Sequence, residues 1–356
     1  MPVRLPTRLA VLFLGILLLL IGGCRSIVPV PPGGTEDPKS GEPLRQRIVI
    51  VVHGDASYLY HAPDGTPHQA DTETLREAFS AAQSMPRAEI FVFHQRPHDS
   101  VLGLFPRADG TLYHFRRGRL HHQTTYDQTR TRPFDAEAKL VRRHRAPVPD
   151  SSLFTAALYY GHAVPEQPRP GYHRSQADVP FGIPDLAQGL EHLSAAEAFD
   201  AVVLSTCDGG TPNTLTALAP HVRHVLAAPG DLHLSYVDAD LLSTVGDVTQ
   251  PHVWTHRLAE RAFDRLTERV TTAVTLATYD TPQVAPAARR MARRVPPDTS
   301  TAPTGARLAD CRQVLGSPVD TTGVRVWHRP ARFGPQADQE THSGWGCLPK
   351  RKRSRH

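Results

Sequence analysis

Two residues in this chain have the types and the placement of a thiol catalyst. Cys207 comes shortly after the apolar run FDAVVL, Phe199 to Leu204, and His162 follows the run ending at Tyr160 after a single glycine. A thiol is largely protonated at neutral pH, and an adjacent imidazole of pKa about 6.5 can take its proton and leave a strong nucleophile. Read singly, either residue could equally be a small buried group or a satisfied polar side chain at a strand end. Gly209 and Gly210, just beyond the cysteine, permit a tight turn and close approach of a substrate to the backbone. His53-Gly54 ends another apolar run in the manner of an oxyanion loop, but no G-x-S-x-G occurs, so a serine hydrolase is disfavoured and His53 is read as lining the same cleft. With 20 histidines some local clusters are expected, yet there is neither HExxH nor CxxC, and no metal site is expected.

The elements that would position this pair alternate. IVIVVHG after Arg47 and AEIFVFH from Ala88 to His94 are short, continuous, β-branched and aromatic runs that suit strands buried on both faces. Between them Leu75, Phe79 and Ala82 fall on one side of a helix, for which Asp71 is the expected N-cap. From Leu102 to Tyr126, turn signals at Asp109-Gly110 and Arg117-Gly118 predict a small antiparallel insertion. Phe154 to Tyr160, Phe199 to Leu204, Val222 to Ala227 and AVTLATYD are further strands, with helices at Asp185 to Leu193, around Leu215, from Leu258 to Val270 and along VAPAARRMARRV. The alternation predicts an open, mostly parallel α/β sheet, in which sites form beyond the carboxyl ends of strands. His162 and Cys207 both occupy such ends.

The order of these motifs resembles the clostripain-like cysteine peptidases and their caspase-type fold. The resemblance covers about 47–295. It implies a three-layer sandwich, Cys207 as nucleophile, His162 as general base, and the backbone N–H groups of Cys207 and Ala163 as oxyanion donors. Calcium or internal cleavage is implied by some relatives; Arg169 and Arg174 in the loop from Val164 to Pro184 are the candidate cut sites. Two departures stand out. The family has glycine after the histidine, where this chain has Ala163, and an aspartate two residues before the cysteine, where this chain has Ser205. Asp178, Asp208 or Asp231 would have to substitute if basic substrates are selected. A degenerate peptidase fold that binds peptide or protein without cutting it is the alternative reading.

The ends of the chain suggest where it works. Met1 to Arg8 carries two arginines and no acid, and Leu9 to Gly23 is unbroken apolar sequence ending at Cys24. Residues 1–23 read as a lipoprotein signal peptide, with Cys24 acylated and Arg25 compatible with an outer-membrane destination in a Gram-negative host. Residues 24–46, containing PVPPGGTEDPKSGEP, read as a flexible tether, 47–295 as the catalytic domain, and 296–356 as a C-terminal extension. Cys311 and Cys347 can pair in an exported protein. The formal charge of +5 is modest and the terminal KRKRSRH has no interleaved aromatics, so a solvated tail is expected and no nucleic acid partner. The expected partners are a peptide or protein substrate and the membrane reached through the lipid; no redox cofactor is implied.

Overall fold

The computed structural model describes residues 42–348 except 56–58, 62–64, 98–99, 102–104, 107, 129–131, 149–152, 195–196, 233–236, 296–307 and 335. The signal segment, Cys24, most of the tether and the basic tail lie outside the described residues. Among the described residues no helix is long and apolar enough to cross a membrane.

Nine strands form one sheet. In chain order they are β1 (Gln46–His53), β2 (Ala88–Gln95), β3 (Gly110–Arg116), β4 (Arg119–Tyr126), β5 (Phe154–Tyr160), β6 (Phe199–Ser205), β7 (Val222–Ala227), β8 (Val274–Asp280) and β9 (Val324–Arg329), with spatial order β9-β8-β7-β6-β5-β1-β2-β3-β4. The five central strands, β2 to β7 across the sheet, run parallel, and two antiparallel strands flank them on each side. Every residue of β1 is buried, as its apolar sequence requires of a strand covered on both faces.

Helices supply the two outer layers. Val49 and Val51 of β1 join a core with α2 (Asp135–His144), α3 (Ile183–Ser194), α4 (Pro212–Leu218) and α6 (Thr281–Ala292), through Val141, Leu186, Leu215 and Val284. The opposite face is covered by α1 (Ala70–Ser84) and α5 (Pro251–Arg269), where Trp254 packs against Phe154. The expected apolar stripe of α1 is buried, with Leu75, Phe79 and Ala82 each at most 1% exposed. Its N-cap is Gln69 rather than Asp71. The aspartate instead occupies the first turn, where a negative charge suits the helix dipole, and bonds His94 at 3.3 Å.

The expected antiparallel insertion follows the second strand: β3 and β4 form a hairpin through Arg117 and Gly118, both at positive φ, and extend the main sheet beyond β2. Described residues after 307 pack onto the same sheet and core. β9 forms the far edge of the main sheet, and Trp345 is wholly buried in the core beside Tyr279. Cys311 is disulfide-bonded to Cys347, which ties the strand Gly346–Cys347 to the short helix Cys311–Leu315. A pair of short edge strands could not carry this segment alone; it needs the sheet and core as a platform.

Candidate functional site

The parallel register places the two candidate catalytic residues. Ser205 at the end of β6 pairs with Tyr160 at the end of β5, and the Gly161 N–H donates to the Ser205 carbonyl at 3.4 Å. His162 and Cys207 are each two residues beyond these partners, on neighbouring strands that leave the same edge of the sheet. His162 is exposed, and burial of part of its ring followed by the nearby Arg174 charge lowers its pKa below the ordinary histidine value. It is therefore a neutral proton acceptor at pH 7.

Cys207 is half-buried. Its Sγ donates to the Leu232 carbonyl at 3.2 Å and accepts from the Leu232 N–H at 3.3 Å. Leu232 gave no sign of this role in the sequence, because a backbone group has no side-chain signature. The turn after the cysteine is made by Asp208, at φ 59°, a conformation that aspartate tolerates better than most residues. Neither Gly209 nor Gly210 has positive φ. Gly210 is required by packing: a Cβ there would come within 2.9 Å of Pro229 Cα and collide with the Tyr279 hydroxyl. The expected role of these glycines, a tight turn and room for substrate, thus passes to Asp208 for the turn and to core packing for Gly210.

The remaining candidates separate. Ala163 is half-buried with no positive φ, so the residue that replaces the family's glycine needs no unusual backbone angle. Ser205 and His53 are buried, at 4% and 1% exposed. The Ser205 hydroxyl has no hydrogen-bond partner among the described residues. Asp178 is exposed on the loop after β5. Asp231 is exposed and, with Leu232, lines a cavity of about 670 Å³ that is also lined by Asp310, His328 and His342 from the C-terminal segment.

His53 sits at the centre of a group that the sequence scattered. Its Nε2 lies 3.0 Å from His173 Nδ1, and its ring stacks on Tyr172 with centroids 4.8 Å apart. Burial first, then His173 and His162, hold its pKa well below the usual value, which places His162 within electrostatic reach. Tyr172 donates its hydroxyl to the His162 carbonyl at 3.3 Å. Asp55 accepts from the Ser175 hydroxyl at 2.6 Å and from the Ser175 N–H at 3.2 Å. Asp55, Tyr172 and His173 were not among the sequence candidates; Asp55 and Ser175 are 120 positions apart, and no local pattern connects them.

Calcium does not fit the clusters that the described residues form. It takes about six to eight oxygen ligands. Glu77, Asp238 and Asp240 offer oxygens, but Arg265 already bonds Asp238 at 2.6 Å and Asp240 at 2.7 Å, and Arg269 bonds Asp238 at 2.9 Å. Burial and then the Asp238 charge also raise the Glu77 pKa to about 8. The second cluster, His53, Asp55 and His173, supplies two nitrogens.

No family sequence model matches the chain, and no curated protein sequence does. Solved structures do. An inactive zymogen C11 protease from Parabacteroides distasonis matches with TM-score 0.56 at 12% identity over 89% of this chain and 94% of that one. A secreted C11 cysteine protease from Bacteroides thetaiotaomicron, in complex with an irreversible peptide inhibitor, matches with TM-score 0.51 at 14% identity over 71% of each chain. The same organism's secreted C11 protease "iotapain" matches with TM-score 0.50 at 11% identity, over 71% of this chain and 70% of that one. The nine-stranded sheet with its parallel centre and helical outer layers is the fold of the C11, clostripain-like, cysteine proteases.

Proposed function

We propose that the protein is a cysteine peptidase working outside the cytoplasm, tethered to the cell envelope through a lipid on Cys24. The observation that carries this reading is the pairing of β5 with β6, which delivers a neutral histidine and a half-buried thiol to adjacent strand ends in a peptidase fold.

In this reading a substrate carbonyl displaces Leu232 from the thiol. Sγ attacks the carbonyl carbon while its proton passes to His162. The tetrahedral oxyanion accepts from the N–H groups of Cys207 and Ala163, each such donor being worth roughly 10²- to 10³-fold in rate. Collapse expels the amine, which takes the proton from His162 and leaves a thioester on Cys207. Water, deprotonated by His162, then releases the acid and restores the thiol. Of Asp178, Asp208 and Asp231, we take Asp231 as the acid that would meet a substrate side chain, a choice supported by its lining the cavity beside Leu232. Arg169 and Arg174 are both candidate internal cleavage sites; Arg169 is held in a backbone bridge to Phe181, and the Arg174 N–H donates to the Asp55 carbonyl at 3.2 Å.

The test is the alkylation rate of Cys207 near neutral pH in protein beginning at Arg25, with His162→Ala as control. Rapid labelling that collapses in the variant supports the dyad and directs a peptide-library search. Slow labelling in both, after any cleavage-dependent activation has been tried, refutes the enzyme and leaves a peptide-binding module on this fold.

A further inference from the structure

From the geometry at the end of β1 we infer that His53, Asp55 and His173 form a binding site for a borderline divalent transition metal of the Zn²⁺ class. Each residue offers one ligand atom, and these atoms all lie within 4.8 Å of one another. Two nitrogens held at about 2.0–2.1 Å by a tetrahedral ion are about 3.3 Å apart, so the 3.0 Å imidazole pair needs only slight opening. The facing nitrogens now share a hydrogen bond. Metal binding requires the donating ring to move its proton to its other nitrogen, so that both present lone pairs. Two imidazoles and one carboxylate favour Zn²⁺ and its neighbours over the hard ions Ca²⁺ and Mg²⁺.

The surroundings are those of a built site. Asp55 is 3% exposed, and Ser175 holds its carboxylate through both N–H and hydroxyl, the arrangement that orients ligands in metal sites. His53 is fixed by its stack on Tyr172, and His173 packs edge-on against Phe181 at 5.0 Å. A cavity lined by Asp55, His173, Gln95 and Gln176 gives an entry path and room for a water or further ligand. The donors come from the last residue of β1, from the segment just after it and from the loop after β5. An ion would clamp that loop, which carries Tyr172 and its bond to the His162 carbonyl, onto the sheet. The site is independent of the peptidase reading.

The experiment uses protein beginning at Arg25, stripped of metal by chelation and titrated with Zn²⁺ against a chromophoric chelator, with Co²⁺ as the spectroscopic probe. One tight equivalent is expected, accompanied by a higher Tm, and His173→Ala removes it while the weaker surface histidine sites stay unchanged. Ser175→Ala, which leaves all three ligands in place, weakens that equivalent by about 10- to 100-fold. Equal stoichiometry and affinity in wild type, His173→Ala and Ser175→Ala overturn the inference, as does the lack of any tight equivalent in the wild type. Should His173→Ala fail to fold, Ser175→Ala decides: unchanged affinity there overturns it.

Discussion

Replacing Gly210 with alanine tests whether the loop bearing Cys207 is held by packing or kept open for substrate. The new methyl would lie 2.9 Å from Pro229 Cα and 3.0 Å from Pro229 N, and would strike the hydroxyl of Tyr279, a wholly buried side chain bonded to the Gly344 carbonyl. Gly210 cannot retreat freely. Its N–H donates to the Ala228 carbonyl at 2.8 Å, and its carbonyl accepts from the Gly346 N–H at 3.0 Å. Overpacking a core costs about 1–3 kcal/mol, and losing one of these backbone bonds adds about 1 kcal/mol, giving about 2–4 kcal/mol in total. At about 2 °C per kcal/mol for a domain of this size, Tm should fall by about 4–8 °C in a thermal scan. The shifted Pro229–Leu232 segment also bonds the Cys207 thiol, so the alkylation rate should change with it. Gly209→Ala is the internal control: its nearest contacts are side-chain carbons at 3.1–3.3 Å, and its cost should be smaller, about 1 kcal/mol. A Gly210→Ala protein within about 0.5 kcal/mol of wild type, or a Gly209→Ala protein less stable than it, would refute the packing argument.

Glu89 is fully buried and accepts from Arg47 at 2.8 Å, His114 at 3.1 Å, Arg116 at 3.2 Å and the Ala146 N–H at 2.7 Å. Glu89→Ala leaves the buried Arg47 without its carboxylate, and denaturant unfolding should show a loss of about 3–5 kcal/mol. His342 is held down to about pKa 4 by burial, against the opposing charge of Asp310 and with smaller help from His328 and Arg312; its Nδ1 accepts from the Gly344 N–H. Because the unfolded chain takes up that proton from about pH 6.5 downward and the folded one does so only near pH 4, stability should fall as pH drops through this window. His342→Gln should flatten that part of a Tm–pH curve, and an unchanged slope would exclude His342 as its source. Reducing Cys311–Cys347, whose partners are 36 positions apart, should lower stability by about 3–4 kcal/mol on a chain-entropy basis, read as a Tm shift on adding reductant.

Much of the architecture was legible because it is local. The apolar runs at β1, β2, β5, β6 and β8 report burial on both faces, and α1 shows its core face through Leu75, Phe79 and Ala82. His162 and Cys207 could be nominated from strand ends alone, since parallel neighbours end at the same edge. Other features depended on contacts between distant segments. Trp345, Cys347 and β9 read as an extension, because a short edge strand reveals its partner only when the sheet is assembled. Gly210 is glycine on account of Tyr279 and Pro229, and Leu232 meets the thiol through its backbone. The cluster of His53, Asp55 and His173 exists only where β1 meets the loop after β5. Residue types and periodicity encode which segments are buried and which strand ends carry chemistry; three-dimensional convergence alone decides which polar groups face one another, because it joins positions that share no sequence pattern.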